Sequence, residues 1–333
     1  MKIIHTSDWH IGKIIHGHTI LEDQEYILHQ ILEIVGKIKP DAFLICGDVF
    51  DKSIVTVESM ILFDTFLNEL ILRHEIPTII TSGNHDNPGR LKIGAEIFKN
   101  KKLYIQTELS DIFSPIEITD THNTIKIYTL PYYDIPYFNT FLSNTYDSFT
   151  SSIEDLINKL IDTSPIPEGS ILMTHYTMKG KSIRSDSERL LTIGGVEEVD
   201  PQIFAPFTYV ALGHFHSAQS IKSGRNHIQY SGSILQYSFD EPKDKSLTLL
   251  EINKDQSVNI SKIPLSPKRP LRVLKGTFDT IISESTKDEN KQDYLEIQLV
   301  DKNIIPNPME RLKKIYPNIL TVSQLSLIQD SEK

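Results

Sequence analysis

Apolar residues along the first third of the chain occur as short continuous runs separated by longer stretches with helical spacing. KIIHTS and DAFLIC are typical of buried strands, and LEDQEYILHQILEIVGKIK, which lies between them, has the period of a helix. VESMILFDTFLNELILRH repeats the helical pattern, and PTIITS repeats the strand pattern. Alternating strands and helices with short connections predict a parallel sheet covered by helices.

The strand patterns continue along the chain, but their connections change. Further strands are predicted in NTIKIYTLP, GSILMTHYT and FTYVALGHFH, with a helix over SSIEDLINKLID. Hairpin-like segments follow in HIQYSGSILQYS, KSLTLLEIN and SVNISKIPL. A chain that begins parallel and finishes with hairpins predicts an α/β (α+β four-layer) fold, in which two mixed β-sheets pack face to face with helices outside.

The segment SPKRPL, from Ser266 to Leu271, combines two prolines with two basic residues and predicts a linker. Beyond it, LRVLKGTF and DYLEIQLV predict strands, and PMERLKKIY predicts a helix. We therefore expect one large domain over residues 1–268 and a small α/β cap domain over residues 269–333.

Polar side chains end five of the predicted strands. They comprise Asp8, His10, Asp48, Asn84, His175, His214 and His216. Each alone has an ordinary explanation as a helix cap, a turn residue or a surface imidazole. Ligands of open α/β sheets bind at the carboxyl ends of the strands, where we expect these groups to meet. Mixed oxygen and nitrogen donors suit manganese, iron or zinc better than magnesium, and two metals sharing a carboxylate account for the number of groups.

The composition of the chain limits the class of protein and the cellular compartment in which this site is expected. Of 333 residues, 39% are hydrophobic and 23% are charged, which is ordinary for a globular protein. The single cysteine, Cys46, excludes an intrachain disulfide and is expected to be a buried thiol. The N-terminus lacks the pattern of a secretory signal, and no run approaches the roughly 20 apolar residues of a membrane span. We expect a cytoplasmic protein with no membrane association.

The formal net charge of -10 argues against broad nucleic-acid binding, which requires an excess of Lys and Arg. A DNA site must therefore be local or assisted by metal ions. The basic residues nearest to the predicted site in sequence are Lys13, Arg90, Lys179, Lys181, Arg184 and Arg189. Because acidic residues are interspersed among them, a solvated face of mixed charge is the alternative to DNA contacts.

The motifs DWH, GDVFD, GNHD, the histidine of MTHYT and GHFH resemble, in order and spacing, the five motifs of the calcineurin-like metallophosphoesterases. Within that superfamily four stretches resemble the bacterial SbcD nuclease family: HTSDWHIGK, GDVFD, DSERLLTIGG from Asp186 to Gly195, and YSGSILQYSF from Tyr230 to Phe239. The resemblance extends from Met1 to about Asn318 and includes the cap domain.

The resemblance implies two bound Mn²⁺ ions, with other divalent transition metals as the alternative. Their ligands would be Asp8, His10 and His216 for one, Asn84, His175 and His214 for the other, with Asp48 bridging both.

The resemblance also implies roles for the residues around these ligands. His85 would face the phosphate rather than a metal, with Asp86 holding its ring, and Gly83 would let the chain reverse tightly between Asn84 and the preceding strand. Asp51 would steady the ligands from behind, although its role is open.

Two further histidines, His16 and His18, have no carboxylate partner in register. We expect them to be solvated loop residues.

The function implied is a metal-dependent DNA exonuclease and endonuclease, opening hairpins within an SbcC-SbcD type repair complex. A general metallophosphoesterase acting on nucleotides or phosphoproteins is one alternative, and a non-catalytic scaffold is another. The retained His85 argues against a scaffold. Cleavage polarity, preferred DNA structure, ATP dependence and the physiological metal are left open.

The partners implied are DNA, an SbcC-like ATPase and a second copy of the chain. A homodimer is expected through the helix around Met60 to Leu72, which is apolar on more than one face. Family members continue past the cap into a helical ATPase-binding segment. Because the chain stops at Lys333, weak binding of the ATPase is expected if it has been shortened.

Overall fold

The computed structural model describes residues 1–180, 185, 198–224, 226–255 and 257–325. The strands are β1 Lys2–Thr6, β2 Ile14–Ile15, β3 His18–Thr19, β4 Ala42–Cys46, β5 Thr78–Thr81, β6 Leu103–Ile105, β7 Ile116–Thr119, β8 Thr124–Leu130, β9 Ile171–Thr174, β10 Tyr209–Leu212, β11 Gln219–Ser223, β12 Asn226–Tyr230, β13 Ser246–Ile252, β14 Val258–Pro264, β15 Leu271–Gly276, β16 Tyr294–Leu299 and β17 Ile319–Gln324. The α-helices are α1 Leu21–Ile38, α2 Val57–Asn68, α3 Pro88–Leu91, α4 Ala95–Phe98, α5 Ile135–Leu142, α6 Phe149–Thr163, α7 Phe278–Glu284 and α8 Pro308–Lys313. A π-helical turn, Glu69–Arg73, extends α2.

Two six-stranded sheets form the body of the protein, in the orders β14-β13-β1-β4-β5-β6 and β11-β12-β10-β9-β8-β7. Both sheets are mixed. In the first, β1 is parallel to β4 and antiparallel to β13, and in the second, β10 is parallel to both β9 and β12 while β11 is antiparallel to β12. The predicted pair of mixed sheets is confirmed.

The strands at the centre of each sheet are apolar on both faces because both faces are covered. One face of each sheet contributes to a shared core in which Ile3 and Leu44 pack with Ile127 and Met173. The outer face of the first sheet packs against α1 and α2, and that of the second packs against α5 and α6. The result is four layers with the helices outside, as predicted.

The cap region is a separate three-stranded parallel sheet, in the order β15-β16-β17, with its own apolar cluster beneath α7 and α8. The segment before it is anchored to α1. The Arg269 guanidinium donates to both oxygens of Asp23 at 2.9 and 2.7 Å, and its central carbon lies 5.2 Å from the ring centroid of Tyr294. The division at residues 268 and 269 stays a prediction.

One predicted hairpin is wrong. HIQY forms β12, but the residues after it leave the sheet instead of folding back as a second strand. Gly232 lies there at φ +78°, and a Cβ on it would be 2.8 Å from the backbone nitrogen of Ala218. The hydroxyl of Ser233 donates to the backbone carbonyl of Leu235 at 2.7 Å, which holds the irregular path.

None of the helices in the described part of the chain has both the length and the apolar character to cross a lipid bilayer.

Candidate metal centre

The predicted polar residues converge where strands of the two sheets end. Asp8 and His10 follow β1, Asp48 follows β4, and Asn84 follows β5. His175 follows β9, and His214 and His216 follow β10. Ligand atoms of Asp8, His10 and His216 lie within 4.8 Å of one another, and so do those of Asp8, Asp48 and His175. The structure therefore brings the predicted groups together at one edge.

The first of these groups contains two imidazoles that face each other. Nε2 of His10 lies 3.1 Å from Nε2 of His216, and both rings are buried. Burial lowers the pKa of His10 to about 4, although its contact with Asp51 opposes this. A neutral ring nitrogen directed at a second one is an arrangement that suits a shared cation.

The second group is organised around His175, which is fully buried. Its Nδ1 donates to the backbone carbonyl of Cys46 at 2.7 Å, and its Nε2 lies 3.2 Å from Oδ2 of Asp48 and 3.9 Å from Oδ1 of Asp8, outside hydrogen-bond geometry. Burial opposes protonation, but the charge of Asp48 and the second carboxylate raise the pKa of His175 to about 9. Positive charge is favoured at this nitrogen.

Asn84 and His214 close the second side of the site. Nδ1 of His214 lies 3.2 Å from the amide oxygen of Asn84, and burial lowers the pKa of His214 to about 3. The amide nitrogen of Asn84 is buried without a hydrogen-bond partner. An orphaned amide and an orphaned His175 nitrogen beside two buried carboxylates fit a site for divalent cations, which bind such mixed oxygen and nitrogen donors.

Four of the candidate ligands have backbone conformations that are rare for residues other than glycine. The φ angles are +53° for Asp8, +44° for His10, +50° for Asp48 and +100° for His214. The left-handed region is sterically unfavourable for a residue with a Cβ, and such conformations concentrate at functional sites. The left-handed residues thus occur in the loops that bring the candidate ligand atoms together.

Close packing between loops explains two glycines of the motifs. A Cβ on Gly83 would lie 2.2 Å from Oδ1 of Asp48, and a Cβ on Gly213 would lie 2.0 Å from the carbonyl oxygen of Cys46. Gly83 does not have a positive φ. Gly83 is therefore required here for the close approach of the neighbouring loop, which leaves no room for a side chain, rather than for a left-handed backbone conformation.

His85 stands beside the candidate ligands and is half-buried. Its backbone N–H donates to Oδ1 of Asp48 at 2.8 Å, and its ring Nδ1 donates to the backbone carbonyl of Asp51 at 2.8 Å. The ring packs edge-on against that of His10, with 4.7 Å between centroids. Because Nδ1 already donates a hydrogen bond, Nε2 is the ring nitrogen that remains available to contact a bound molecule.

Asp86 does not hold the His85 ring, and the expectation that it would is corrected. Its Oδ2 accepts the backbone N–H groups of Val49 at 3.2 Å and Gly83 at 3.0 Å, and its Oδ1 accepts that of Phe50 at 3.0 Å. The carboxylate thus joins the loop after β4 to the loop after β5. Burial and the nearby charge of Asp48 raise the pKa of Asp86 to about 6.

Asp51 lies behind His10 without a hydrogen bond to its ring, so its expected role in steadying the ligands stays a prediction. Its Oδ1 is 3.4 Å from Nδ1 of His10 and 2.8 Å from Nζ of Lys13. Burial opposes ionisation, but the contacts with His10 and Lys13 hold the pKa of Asp51 well below its usual range.

The basic residues predicted to contact DNA differ in their exposure and in their hydrogen-bond and ion-pair partners. Lys13 is ion-paired to Asp51 with 17% of its side chain exposed, and Arg90 is exposed and donates to the carbonyl of Ser53 at 2.8 Å. Lys179 is exposed. Lys181, Arg184, Arg189 and the stretch from Asp186 to Gly195 lie outside the described residues.

The expectations for Cys46 and His16 are met, whereas that for His18 is met only in part. Cys46 is fully buried, and burial raises the pKa of its thiol. His16 is exposed in the turn between β2 and β3, whereas His18 is half-exposed and is the first residue of β3 rather than a loop residue.

The family model for calcineurin-like phosphoesterases matches residues 1–218 of this chain. The chain belongs to this family. A second model, described as the type 5 capsule protein repressor C-terminal domain (SbcD_C), matches residues 267–333. The SbcD subunit of nuclease SbcCD from Staphylococcus epidermidis is 41% identical over 330 residues, which are 98% of this chain and 86% of that protein. The predicted relation of this phosphoesterase to the SbcD nucleases is confirmed.

Solved structures resemble the phosphoesterase at much lower identity. One is a protein from Thermus thermophilus, with a TM-score of 0.48 and 12% identity, covering 78% of this chain and 98% of its own. Another is a putative 5'-nucleotidase from Staphylococcus aureus, with a TM-score of 0.45 and 11% identity, covering 80% of this chain and 54% of its own.

Several residues that shape the site of this phosphoesterase were not predicted from the sequence. Gln24, in the first turn of α1, donates from Nε2 to the carbonyls of Trp9 at 3.1 Å and His10 at 2.7 Å. Trp9 itself is fully buried, donates its indole N–H to the Thr6 hydroxyl at 2.9 Å and meets Phe66 edge-on at 4.9 Å. Together these contacts fix the DWH loop from beneath.

Glu241 was also not predicted. Its Oε1 lies 2.9 Å from Nδ1 of His216, and its other oxygen accepts from Lys245. Burial opposes ionisation, but the hydrogen bond from His216 and the pairing with Lys245 hold the pKa of Glu241 at about 2. The segment DEPKDK gave no signal for this role, because it has the pattern of a solvated charged loop.

Proposed function

We propose that this protein is a metal-dependent nuclease that hydrolyses phosphodiester bonds of DNA as a subunit of an SbcC-SbcD type repair complex. The observation that supports it best is the convergence of two buried carboxylates, four imidazoles and an orphaned amide at one edge. A chain 41% identical to an SbcCD nuclease subunit over 98% of its length carries this set.

The proposed centre holds two divalent cations, with Mn²⁺ as the preferred metal. We assign the ligands as expected from the sequence: Asp8, His10 and His216 to the first, Asn84, His175 and His214 to the second, and Asp48 to both. Bound cations supply Lewis acidity, which neutralises phosphodiester charge and makes water nucleophilic at neutral pH.

His85 acts on the substrate in this proposal. The carbonyl of Asp51 fixes the ring through the hydrogen on Nδ1, and in the doubly protonated ring Nε2 serves as the proton donor. As water attacks phosphorus and releases a proton to solvent, the bond to the leaving oxygen of DNA breaks, and the doubly protonated ring of His85 gives that oxygen the hydrogen of Nε2 and becomes neutral, with its remaining hydrogen on Nδ1. Asp86 contributes by holding the two loops on which Asp48 and His85 lie.

DNA is the proposed substrate, with both exonuclease and endonuclease activity and hairpins among the targets. Divalent cations reduce the negative charge of the site, so the net charge of -10 does not exclude a DNA partner. Of the proposed basic contacts, Arg90 and Lys179 are exposed, and Lys13 contributes only if it exchanges Asp51 for phosphate.

We also propose that the protein functions as a homodimer and docks on an SbcC-like ATPase. The support for a dimer is α2, which exposes Val57, Met60 and Ile61 on one face, by 66%, 51% and 60% of their surfaces. Monomeric proteins seldom expose contiguous apolar patches of large area.

The direct test is cleavage of labelled hairpin, single-stranded and duplex DNA with Mn²⁺, with Mg²⁺ and with EDTA. Bis-p-nitrophenyl phosphate serves as the generic phosphodiesterase control. We expect Mn²⁺-dependent cleavage of DNA that EDTA abolishes. Hydrolysis of the generic ester without cleavage of any DNA would instead support a general phosphoesterase, and no hydrolysis of either would support a scaffold.

A further inference from the structure

A buried ion pair lies directly behind His216, and the chemistry proposed above does not use it. Glu241 has 0% of its side chain exposed and Lys245 has 4%. We infer that this pair is a positioning device, which orients His216 and thereby sets the affinity of the cation site that His216 forms with Asp8 and His10. The inference rests on the two-cation centre of the proposed function.

The hydrogen bond from His216 to Glu241 fixes which ring nitrogen carries the hydrogen. Oε1 of Glu241 lies 2.9 Å from Nδ1 of His216. A carboxylate oxygen whose partner oxygen already pairs with an ammonium group can only accept, so Nδ1 must be the donor. The lone pair is then on Nε2, the atom that lies 3.1 Å from Nε2 of His10. The ring is in the tautomer that a metal requires.

Lys245 holds both the carboxylate and the main chain of His216. Its Nζ donates to the carbonyl of His216 at 2.9 Å, to the hydroxyl of Ser233 at 2.9 Å and to Oε2 of Glu241. An ammonium group has three N–H donors, and these contacts use all of them. One lysine therefore anchors the backbone of residue 216 while it orients the carboxylate that holds the ring.

The acceptor behind His175, a histidine of the second site, is of a different kind. Nδ1 of His175 donates to the neutral carbonyl of Cys46. By contrast, Nδ1 of His216 donates to the carboxylate of Glu241, while the carboxylate of Asp51 only approaches Nδ1 of His10, at 3.4 Å and outside hydrogen-bond geometry. A carboxylate acceptor makes a ligating imidazole more basic than a carbonyl does, and removal of such partners typically weakens metal binding about 10- to 100-fold. Loss of Glu241 should therefore weaken one cation site and spare the other.

The first test is Mn²⁺ binding to EDTA-stripped protein, measured by calorimetry together with metal content after dialysis. We expect Glu241→Gln to weaken Mn²⁺ binding at one of two sites by about 10- to 100-fold, because His216 and Lys245 bond to different oxygens of Glu241 and the amide keeps an oxygen at only one of these positions. The control is Asp240→Asn, which changes the adjacent exposed carboxylate and should keep the wild-type affinities.

A second variant keeps the test decisive if an unpaired Lys245 prevents folding. Glu241→Gln combined with Lys245→Met leaves no buried charge at these two positions, and we expect the same loss of Mn²⁺ affinity in the folded double variant. A folded variant of either kind that binds Mn²⁺ with wild-type affinity would overturn the inference. Wild-type protein that binds no Mn²⁺ would instead refute the proposed centre itself, and the inference with it.

The tautomer can be observed without any substitution. Long-range ¹H–¹⁵N spectra of the metal-free wild-type protein should show His216 with its hydrogen on Nδ1. A hydrogen on Nε2 would contradict the role of Glu241, whatever the variants do, because a ring held by a carboxylate at Nδ1 must donate from that atom.

Discussion

Adjacent residues of the GNHD turn have different partners, and this separates their roles. Asn84 presents its amide to His214, whereas His85 is held by a backbone carbonyl and leaves Nε2 for the substrate. Asp86 instead accepts three backbone N–H groups from two loops. A single turn thus supplies a proposed metal ligand, a proposed proton donor and the group that holds the loops.

Substitution of Asp48 and of His85 should separate metal binding from catalysis. Asp48→Ala removes the proposed shared anion and should empty at least one metal position. His85→Gln should keep metal and fold but lower DNA cleavage by roughly 10²- to 10⁴-fold, because a proton donor and charge stabiliser is lost. The measurements are metal content by mass spectrometry and cleavage of labelled DNA. Loss of Mn²⁺ from His85→Gln would mean that His85 is a ligand.

A histidine outside the centre should make the protein sensitive to acid. His5 is fully buried between the hydroxyl of Tyr209 and the carbonyl of Leu212, and burial lowers its pKa to about 3, although the bond to Leu212 opposes this. The unfolded chain gains a proton on this ring near pH 6.5, whereas the folded chain does not. The contribution of His5 to the free energy of unfolding is therefore fully present above pH 6.5 and is lost as the pH falls towards 3.

This sensitivity can be measured by urea unfolding of the EDTA-treated protein between pH 7.5 and pH 4.5. The free energy of unfolding of the wild type should fall more steeply than that of His5→Gln, by about 1.4 kcal/mol per pH unit well below pH 6.5. His29→Gln, at a position with 74% of its side chain exposed, is the control. Equal slopes for wild type and His5→Gln would contradict the prediction.

At the scale of elements, α2 has two apolar faces of which the fold uses one. Phe63 and Phe66 pack beneath it, while Val57, Met60 and Ile61 are exposed on successive turns. Side chains at these spacings share one face of a helix, so the exposed residues form a stripe. Such a stripe is the surface that a second copy of the chain would cover.

Light scattering at micromolar concentration should give twice the chain mass of 38.0 kDa. Ile61→Lys puts a charge in the centre of the stripe and should shift the protein towards the monomer mass, because burying an unpaired charge is unfavourable. Asp162→Lys, on α6 against the other sheet, should leave the dimer unchanged. A monomeric wild type would refute the proposed dimer. A dimeric Ile61→Lys variant would show that the dimer interface lies on another surface.

Sequence patterns were informative for these elements and for the ends of the strands. Residues such as Asp48 and His175 follow apolar runs directly, and the rule that parallel strands end at one edge brings them together. Contacts made from distant or irregular segments could not be predicted. Glu241 lies in a polar loop 25 positions beyond His216, and nothing in its local pattern distinguishes a buried carboxylate from a solvated one.

At the scale of the whole molecule, the cap region is attached through the first turn of α1. Arg269 pairs with both Asp23 and Glu22, and the hydroxyl of Tyr294 donates to Asp23 at 2.8 Å. The sequence predicted a linker here because proline and basic residues are typical of solvated connections. The acidic partners lie 246 and 247 positions away, so the pairing could not be recognised locally.

Arg269→Met should weaken the attachment of the cap region. The bidentate contact with Asp23 is partly buried, and charge-assisted hydrogen bonds of this kind contribute about 1.5–3 kcal/mol. We expect a drop of that order in the free energy of unfolding, measured by urea denaturation, with faster limited proteolysis between residues 264 and 271. Lys268→Met, which removes an exposed pair with Glu22, should change stability by less than about 1 kcal/mol. Equal effects of the two variants would contradict this account.

Trp9 has a consequence for how the protein can be observed. It is the only tryptophan in the chain, it is fully buried, and it lies between Asp8 and His10. Its fluorescence therefore comes from one site, next to two proposed metal ligands. Loading with paramagnetic Mn²⁺ should quench this emission without any added label. Stopped-flow fluorescence could then follow the arrival of the first cation in real time, in the native sequence.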